Sequence, residues 1–464
     1  MKRIAAVCLI YLGLAAGCAV GPNYHRPQFA TTPAFKEQGN WKPSEPDDAL
    51  DHGPWWHIFD DPVLDGLEQQ IDVSNQNLKS AQDAYRQAQA LVAQARAGFW
   101  PTISASASRQ RSVAAPGSPP RMLNNLSADG SWQLDIWGQT RRSVESNRAS
   151  AQASAAAVAA TRLSAQASLA TTYFELRAQD SLQKILDDTV ADEQRSLEIT
   201  QNRYSYGVAA KADVVTAQTQ LLSSQSQQVN AAIARAQFEH AIAVLIGQQP
   251  AEFSLAVAPL RTDVPTAPAG LPSSLLERRP DIAQAERKMA AANAQIGVAI
   301  AAWFPNLTLS GSAGYGNTGF LSQLINSKNF VWSVGPQLAE TLFDGGVRRA
   351  QTAQARAAYD VSVDNYRQTV LTSLQQVEDT LVELRVLEHQ AAIEDEAVSA
   401  AKEAERLTLN QYKAGTVPYT SVITSQTTTL ASEQTALTVL LDRLSGSVTL
   451  IQAVGGGWDA AKLP

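Results

Sequence analysis

Residues 139–206 contain no glycine or proline, and residues 347–414 repeat that absence over the same length. These two residue types break helices, so each stretch is free to form one uninterrupted helix. At about 1.5 Å per residue such a helix reaches on the order of 100 Å, several times the extent of an ordinary globular helix. The chain must cross something wide. A second helical segment follows each stretch, at 211–246 and 419–454, so each long helix turns back as an antiparallel hairpin whose tip holds Gly207 or Gly415.

The hairpins are two copies of one unit. Tyr204, Gly207, Gln218, Leu222, Arg235 and Gly247 fall on Tyr412, Gly415, Gln426, Leu430, Arg443 and Gly455 at a constant spacing of 208 (412 minus 204). Upstream, Arg141-Arg142 falls on Arg348-Arg349 at 207, and Phe99-Trp100-Pro101 on Trp303-Phe304-Pro305 at 204, so length differences gather in the connecting loops. Each unit opens with a helical segment, 61–98 or about 273–302, closed where an aromatic residue meets proline. The hydrophobic fraction of 45% conceals long runs of Ala, Gln, Ser and Thr. Alanine runs such as 149–160 let helix axes approach closely, and LLSSQSQQVN tolerates a water-filled face. Leu374, Val377, Leu381, Leu384 and Ala391 keep a three-four rhythm that makes an apolar seam.

Between the helices the period changes to two. Strands are expected at 102–113, 126–136, 306–315 and 330–342, the last interrupted by Pro336. Leu126, Ala128, Gly130, Trp132, Leu134 and Ile136 face one way, with Ser127, Asp129, Ser131, Gln133 and Asp135 opposite. Leu307 and Leu309, and Phe330, Trp332, Val334 and Leu338, form matching apolar sides. The lengths suit tilted strands crossing a bilayer. A lipid-facing strand needs both edges paired, so only a closed barrel is viable there. Four strands cannot close, because the smallest single-chain barrels use about eight. Two copies would give eight strands around a filled interior and three would give twelve around a pore, so a trimer is the economical choice. A periplasmic sandwich with a dry core explains the alternation equally well. The adjoining hairpins, on the order of 100 Å long, favour the membrane arrangement.

Other features bound the function. The net charge is -7 and no Lys/Arg block is present, so no nucleic-acid partner is indicated. His25, His52, His57, His240 and His389 are scattered without helix-spaced partners, no phosphate-cradling glycine loop appears, and Asp187-Asp188 and Glu394-Asp395-Glu396 suit solvated helix faces. Neither an enzyme, a metal site nor a cofactor is expected. Lys2 and Arg3 precede an apolar run and small residues up to Cys18, the pattern of a signal peptide. Residues 14–18 resemble a bacterial lipoprotein cleavage site, which implies lipidation of Cys18, and Ala19 after it implies sorting to the outer membrane. Cys8 would leave with the signal, so no internal disulfide is available.

Taken in order, several motifs resemble the TolC-type outer-membrane factors, in the lipoprotein NodT-like, OprM-like branch that serves resistance-nodulation-division (RND) efflux pumps. They are Gly17-Cys18-Ala19-Val20-Gly21-Pro22-Asn23-Tyr24 with Arg26-Pro27; Trp55-Trp56 with Phe59 and Asp61-Pro62; Glu277-Arg278-Arg279-Pro280-Asp281-Ile282; Ala291-Ala292-Asn293 with Ile296-Gly297; and Leu342-Phe343-Asp344-Gly345-Gly346. The resemblance covers essentially the whole chain. It implies a mostly helical α+β fold forming a homotrimer, with a twelve-stranded outer-membrane barrel continuous with a periplasmic helical tunnel. The expected division is a signal peptide (1–17), a lipidated N-terminal segment (18–60), repeats at 61–247 and 273–455, an equatorial linker at 248–272 and a tail at 456–464.

The partners implied are a periplasmic adaptor, an inner-membrane RND transporter and outer-membrane lipid. The implied function is passive exit of drugs or other small solutes. A duct for type I protein secretion is the alternative, and a structural coiled-coil spacer a more distant one. The family's gate and adaptor-contact tips correspond to Asn202-Arg203-Tyr204, Gly207 and Asp213 in the first copy, and to Tyr412 and Gly415 in the second. Ser421 and Thr424 stand where several relatives carry carboxylates, and Val417 where some carry a basic residue. Closure is therefore expected from apolar and hydroxyl side chains such as Val417 and Tyr419. The lipid-facing barrel positions expected are Leu126, Trp132, Leu134, Ile136, Leu307, Leu309 and Trp332.

Overall fold

The computed structural model describes residues 19–27, 34–37, 54–113, 117, 119–265, 278–318 and 320–458. Cys18 and the signal segment lie outside them. Each repeat runs helix, two strands, long helix, return helix. In the first, α1 (Pro62–Ser74) and α2 (Gln76–Ala97) lead to β1 (Thr102–Ser112), β2 (Arg121–Leu134), α3 (Gln139–Ser205) and α4 (Lys211–Leu245). In the second, α5 (Pro280–Ala301) leads to β3 (Asn306–Asn317), β4 (Phe330–Ala339), α6 (Val347–Ala414) and α7 (Tyr419–Ala453). The long helices hold 67 and 68 residues.

The segment expected as one helix over 61–98 is two. Asn75 breaks it, its side chain accepting from Leu78 N at 2.9 Å while its amide donates to Leu245 O at 2.7 Å. The break thereby satisfies carbonyls left open where α4 ends. Gly247, at φ 70°, closes over the same point, and a Cβ there would meet Ser74 O at 2.3 Å. The second repeat builds the same joint. Arg279 donates to Ala453 O at 2.8 Å, and a Cβ on Gly455 would meet Arg278 O at 2.1 Å. The backbone approach, more than the turn alone, explains why both copies carry glycine here.

The main core lies midway along the long helices. Trp55, Trp56 and Phe59 form a 3-10 turn packed against Phe174, with the Phe59 and Phe174 ring centroids 5.0 Å apart. Asp61 caps α1 through Val63 N and Leu64 N and accepts from the Tyr173 hydroxyl at 2.7 Å, with Pro62 at the first helical position. The tryptophan and Asp-Pro motifs are thus a structural plug. The seam on α6 is present, with Val377 and Leu381 fully buried and Leu384 against Gly446, where a Cβ would approach to 2.8 Å. The first part of the inter-repeat linker is clamped by charge. Asp180 accepts from Arg177 at 3.1 Å, Arg235 at 2.7 Å and Ala258 N at 3.1 Å, while the two arginines donate to Ala256 O and Leu255 O.

The four strands make one antiparallel sheet in the order β1-β2-β3-β4, with β1 and β4 as edges. The hairpins pair within each repeat and the repeats join through β2 and β3. The expected β2 starts too late and ends too late: it begins at Arg121 and stops at Leu134. Ile136 therefore falls beyond the strand and is not a barrel-strand residue. Asp135 ends the strand by turning its carboxylate onto Thr140 N at 2.9 Å and Arg141 N at 3.0 Å, which caps α3. The same device ends the second sheet hairpin before α6. Asp344 accepts from Gly346 N, Arg348 N and the Arg348 guanidinium, which hold its carboxyl down at about 2.

Candidate functional site

The register decides the two faces of the sheet. The rung Ala107, Leu126, Tyr315 and Phe330 runs across all four strands, and successive rungs below it carry Ala105, Ala128, Ala313 and Trp332, then Ile103, Gly130, Gly311 and Val334. Trp132, Leu309 and Pro336, then Leu134, Leu307 and Leu338, complete that face. Pro336 thus stays in phase, on an edge strand where its missing N–H costs least. On β1, β2 and β3 the opposite face is polar, built from hydroxyl and amide groups and one carboxylate: Thr102, Ser104 and Ser106, then Ser127, Asp129, Ser131 and Gln133, then Thr308, Ser310 and Ser312. The apolar face extends over nine residues of β2, from Leu126 to Leu134, and its eight steps span about 27 Å along the strand and about 20 Å after a tilt near 40°.

This face has no partner among the described residues: Ile103, Trp332, Val334 and Leu338 are 79%, 69%, 65% and 68% exposed. No second sheet covers it, so the sandwich alternative lacks its other half among the described residues. Aromatic rings gather at the helix-side edge, where Trp137 stacks on Phe304 at 4.7 Å and donates to Pro305 O, and Trp132 donates to Phe99 O. Tyr315 and Phe330 pair at 5.4 Å on the far edge. Such belts mark the two bilayer interfaces. Among the described residues no helix is long and apolar enough to cross a membrane.

The N-terminal segment is strapped to the same level. Val20 N donates to Trp137 O at 3.0 Å, and Gly138, at φ 82°, meets Ala19 so closely that a Cβ would stand 2.7 Å from its Cα. Arg142, 4% exposed, holds Val20 O, Gly21 O and the Asn23 side chain. Gly297 leaves room for that guanidinium arm and for Gly21. The motifs around residues 20, 142 and 297 are therefore one joint.

At the far end of the helices, the two tips differ despite their shared ancestry in sequence. Gly207 (φ 74°) and Gly415 (φ 78°) both end their helices in the left-handed region, which glycine adopts without strain. Tyr412 is 3% and Tyr419 1% exposed, their rings 5.2 Å apart edge to face, packed with Leu197, Ala217, Leu221 and Val422. Burial raises the Tyr419 phenol's pKa. Tyr204, at the position matching Tyr412, is 46% exposed. Tyr419 thus packs between the hairpin ends of this chain, where the two rings release apolar surface from water. Val417 packs half-buried at the edge of the cluster. Ser421 and Asp213 are half-buried, Thr424 is exposed, and Asp213 sits in the first turn of α4, where a carboxylate suits the helix dipole.

One cross-tie joins the tips. Arg203, at the end of α3, donates to Lys413 O at 2.7 Å and lies over the Tyr412 ring at 4.7 Å. Deeper, Gln426 donates to Ser196 at 3.1 Å, and Gln220 donates to Glu193, whose burial raises its pKa. Between α3, α6 and α7 a groove of about 710 Å³ opens near the tips, with Arg195, Lys402, Glu405 and Glu433 among its walls.

The family model for outer membrane efflux proteins matches residues 67–248 and 271–456. The chain belongs to that family. It is similar to the probable efflux pump outer membrane protein TtgC of Pseudomonas putida, at 29% identity over 98% of this chain and 95% of that protein. It is also similar to the pyoverdine export outer membrane protein OpmQ of Pseudomonas aeruginosa, at 31% identity over 93% of this chain and 94% of that one. Among solved structures, the outer-membrane channel OprN superposes with a TM-score of 0.87, at 29% identity, over 95% of this chain and 100% of that one. The chain is thus a channel subunit of the efflux class, with the barrel-and-tunnel fold of such channels.

Proposed function

We propose that three copies of this chain close a twelve-stranded outer-membrane barrel and a periplasmic helical tunnel, the passive exit duct of a tripartite RND-type efflux pump. The observation that carries this reading is the sheet: one continuous apolar face, one polar face, and two unpaired edges in a stave of bilayer-spanning length. Threefold closure pairs β4 of one copy with β1 of the next, satisfies both edges and leaves the hydroxyl face around a water column. The chain conducts and has no catalytic role or cofactor; energy comes from an inner-membrane transporter reached through a periplasmic adaptor.

The tips are the gate, closed by packing around Tyr412, Tyr419 and Val417 and by the Arg203 tie, with Gly207 and Gly415 as turns. The charged groove beside them suits the adaptor, with Tyr204, Asp213, Ser421 and Thr424 on or near that surface. Lipid on Cys18 would enter the membrane at the aromatic belt, because Ala19 is seated there against Gly138. End-on imaging of purified particles tests the closure, and threefold symmetry around a hollow axis is expected; a soluble monomer without detergent or lipid refutes it. Deleting the protein should raise intracellular dye accumulation, and unchanged dye retention would refute the efflux role. A C18S variant should lose the lipid mass while still forming trimers.

A further inference from the structure

We propose that Arg109 and Arg111 form an outward-facing collar on the distal rim of the barrel that binds the phosphorylated headgroups of anionic glycolipid in the outer leaflet. This rests on the barrel reading, which makes the apolar face the lipid face and the strand loops the external end. Arg109 and Arg111 share the face of Ile103, Ala105 and Ala107 on β1, and both are exposed. The apolar band ends on the rung of Ala107, Leu126, Tyr315 and Phe330, and Arg109 stands on the next rung, opposite Asn124, which itself pairs with Asn317. Arg111 stands one rung further, opposite Met122. The two arginines therefore begin about 7 Å beyond the hydrocarbon edge, at headgroup depth, with stems able to lie along the apolar surface.

Among the described residues no carboxylate competes for them. Residues 101–128 and 306–339 contain no Asp or Glu, although the chain as a whole carries a net charge of -7. The sheet's sole carboxylate, Asp129, points to the polar face, level with Ser104 and Ser312. A neighbouring copy has the same sequence, so closing the ring brings no acid to the rim either. Basic side chains with no internal counter-ion at that depth match phosphate, to which arginine donates in bidentate fashion. Arg121 has the opposite facing: it pairs with Ser112 on the polar side, which makes it an internal control.

The test uses the full-length trimer in detergent, with retention of a fluorescent diphosphorylated glycolipid measured by titration. Its dephosphorylated form and inorganic phosphate serve as the other arms. With about a three- to five-fold loss per arginine at an anionic surface, R109Q/R111Q should bind the phosphorylated lipid about ten- to thirty-fold more weakly. R109K/R111K should keep most of the binding, and R121Q should match the parent. Planar-bilayer conductance on the same samples reports an intact channel. Equal retention by R109Q/R111Q, equal retention of the dephosphorylated lipid, an equal loss in R121Q, or displacement by millimolar inorganic phosphate would each overturn the proposal. A parent protein that forms no conducting trimer would instead overturn the barrel reading beneath it.

Discussion

Replacing Arg203 by alanine cuts the direct tie between the two hairpin tips of one chain, and its geometry sets the size of the loss. The guanidinium donates to Lys413 O at 2.7 Å and stands 4.7 Å from the centre of the Tyr412 ring. The hydrogen bond is solvent-exposed, so it contributes about 0.5–1.5 kcal/mol net. The half-buried Arg203 guanidinium over the Tyr412 ring adds about 0.5–1 kcal/mol. Together they hold the tips with about 1–2 kcal/mol, equivalent to about a five- to thirty-fold change in an opening equilibrium. Single-channel recording should therefore show R203A open more often than the parent, by about that factor per chain. R203K should fall between, since an ammonium can remain over the ring but loses the guanidinium's reach and fork. Y412F should resemble the parent, because the phenol oxygen lies 3.4 Å from Thr200 Oγ1, a weak contact. Unchanged opening in R203A would show that this tie does not hold the tips closed, and an equal effect of Y412F would place the lock at the phenol instead.

Removing Asp180 should destabilise the fold by about 3 kcal/mol, with D180N intermediate, because buried Arg177 and part-buried Arg235 lose their shared carboxylate. Thermal unfolding measures it, and a loss below about 1 kcal/mol would contradict the clamp. G455A and G247A should each cost about 1–3 kcal/mol or more, since the added Cβ meets carbonyl oxygens of Arg278 and Ser74 at 2.1 and 2.3 Å. G207A should cost only about 1 kcal/mol of left-handed strain, because nothing lies within 4 Å. Glu68 is fully buried with no hydrogen-bond partner among the described residues, and burial, reinforced by Asp72 and Asp65, pushes its carboxyl up from 4.5 to about 9. The folded state keeps a proton that the unfolded chain releases, so this contribution is complete below pH 4.5 and fades as pH rises toward 9. The stability of E68Q relative to the parent should accordingly climb across that window; a pH-independent difference would refute the burial argument.

Much of the channel is legible in the residue order because its signals are local. Helices without Gly or Pro over 67 and 68 residues, a period of two in the strands, and the constant offset between repeats each depend on near neighbours along the chain. The strand ends were less legible. The alternation runs through Ile136, yet Asp135 leaves the ladder to cap α3, and an apolar residue beyond that point no longer belongs to the sheet. The repeated pairing of Asp135 with Arg141 and Asp344 with Arg348 is the signal that marks both exits.

Sequence by itself determined the kind of elements, their duplication and the two-faced character of each strand, since backbone propensity and side-chain period follow from covalent neighbours. Only the tertiary structure decided which like residues part company. Tyr204 and Tyr412 are equivalents in sequence, but one stands in solvent and the other is enclosed, because burial depends on which hairpin lies across from it. The same holds for the sheet: cross-strand register, a long-range property, merged four short apolar stripes into one uninterrupted face and left two open edges for other copies to close.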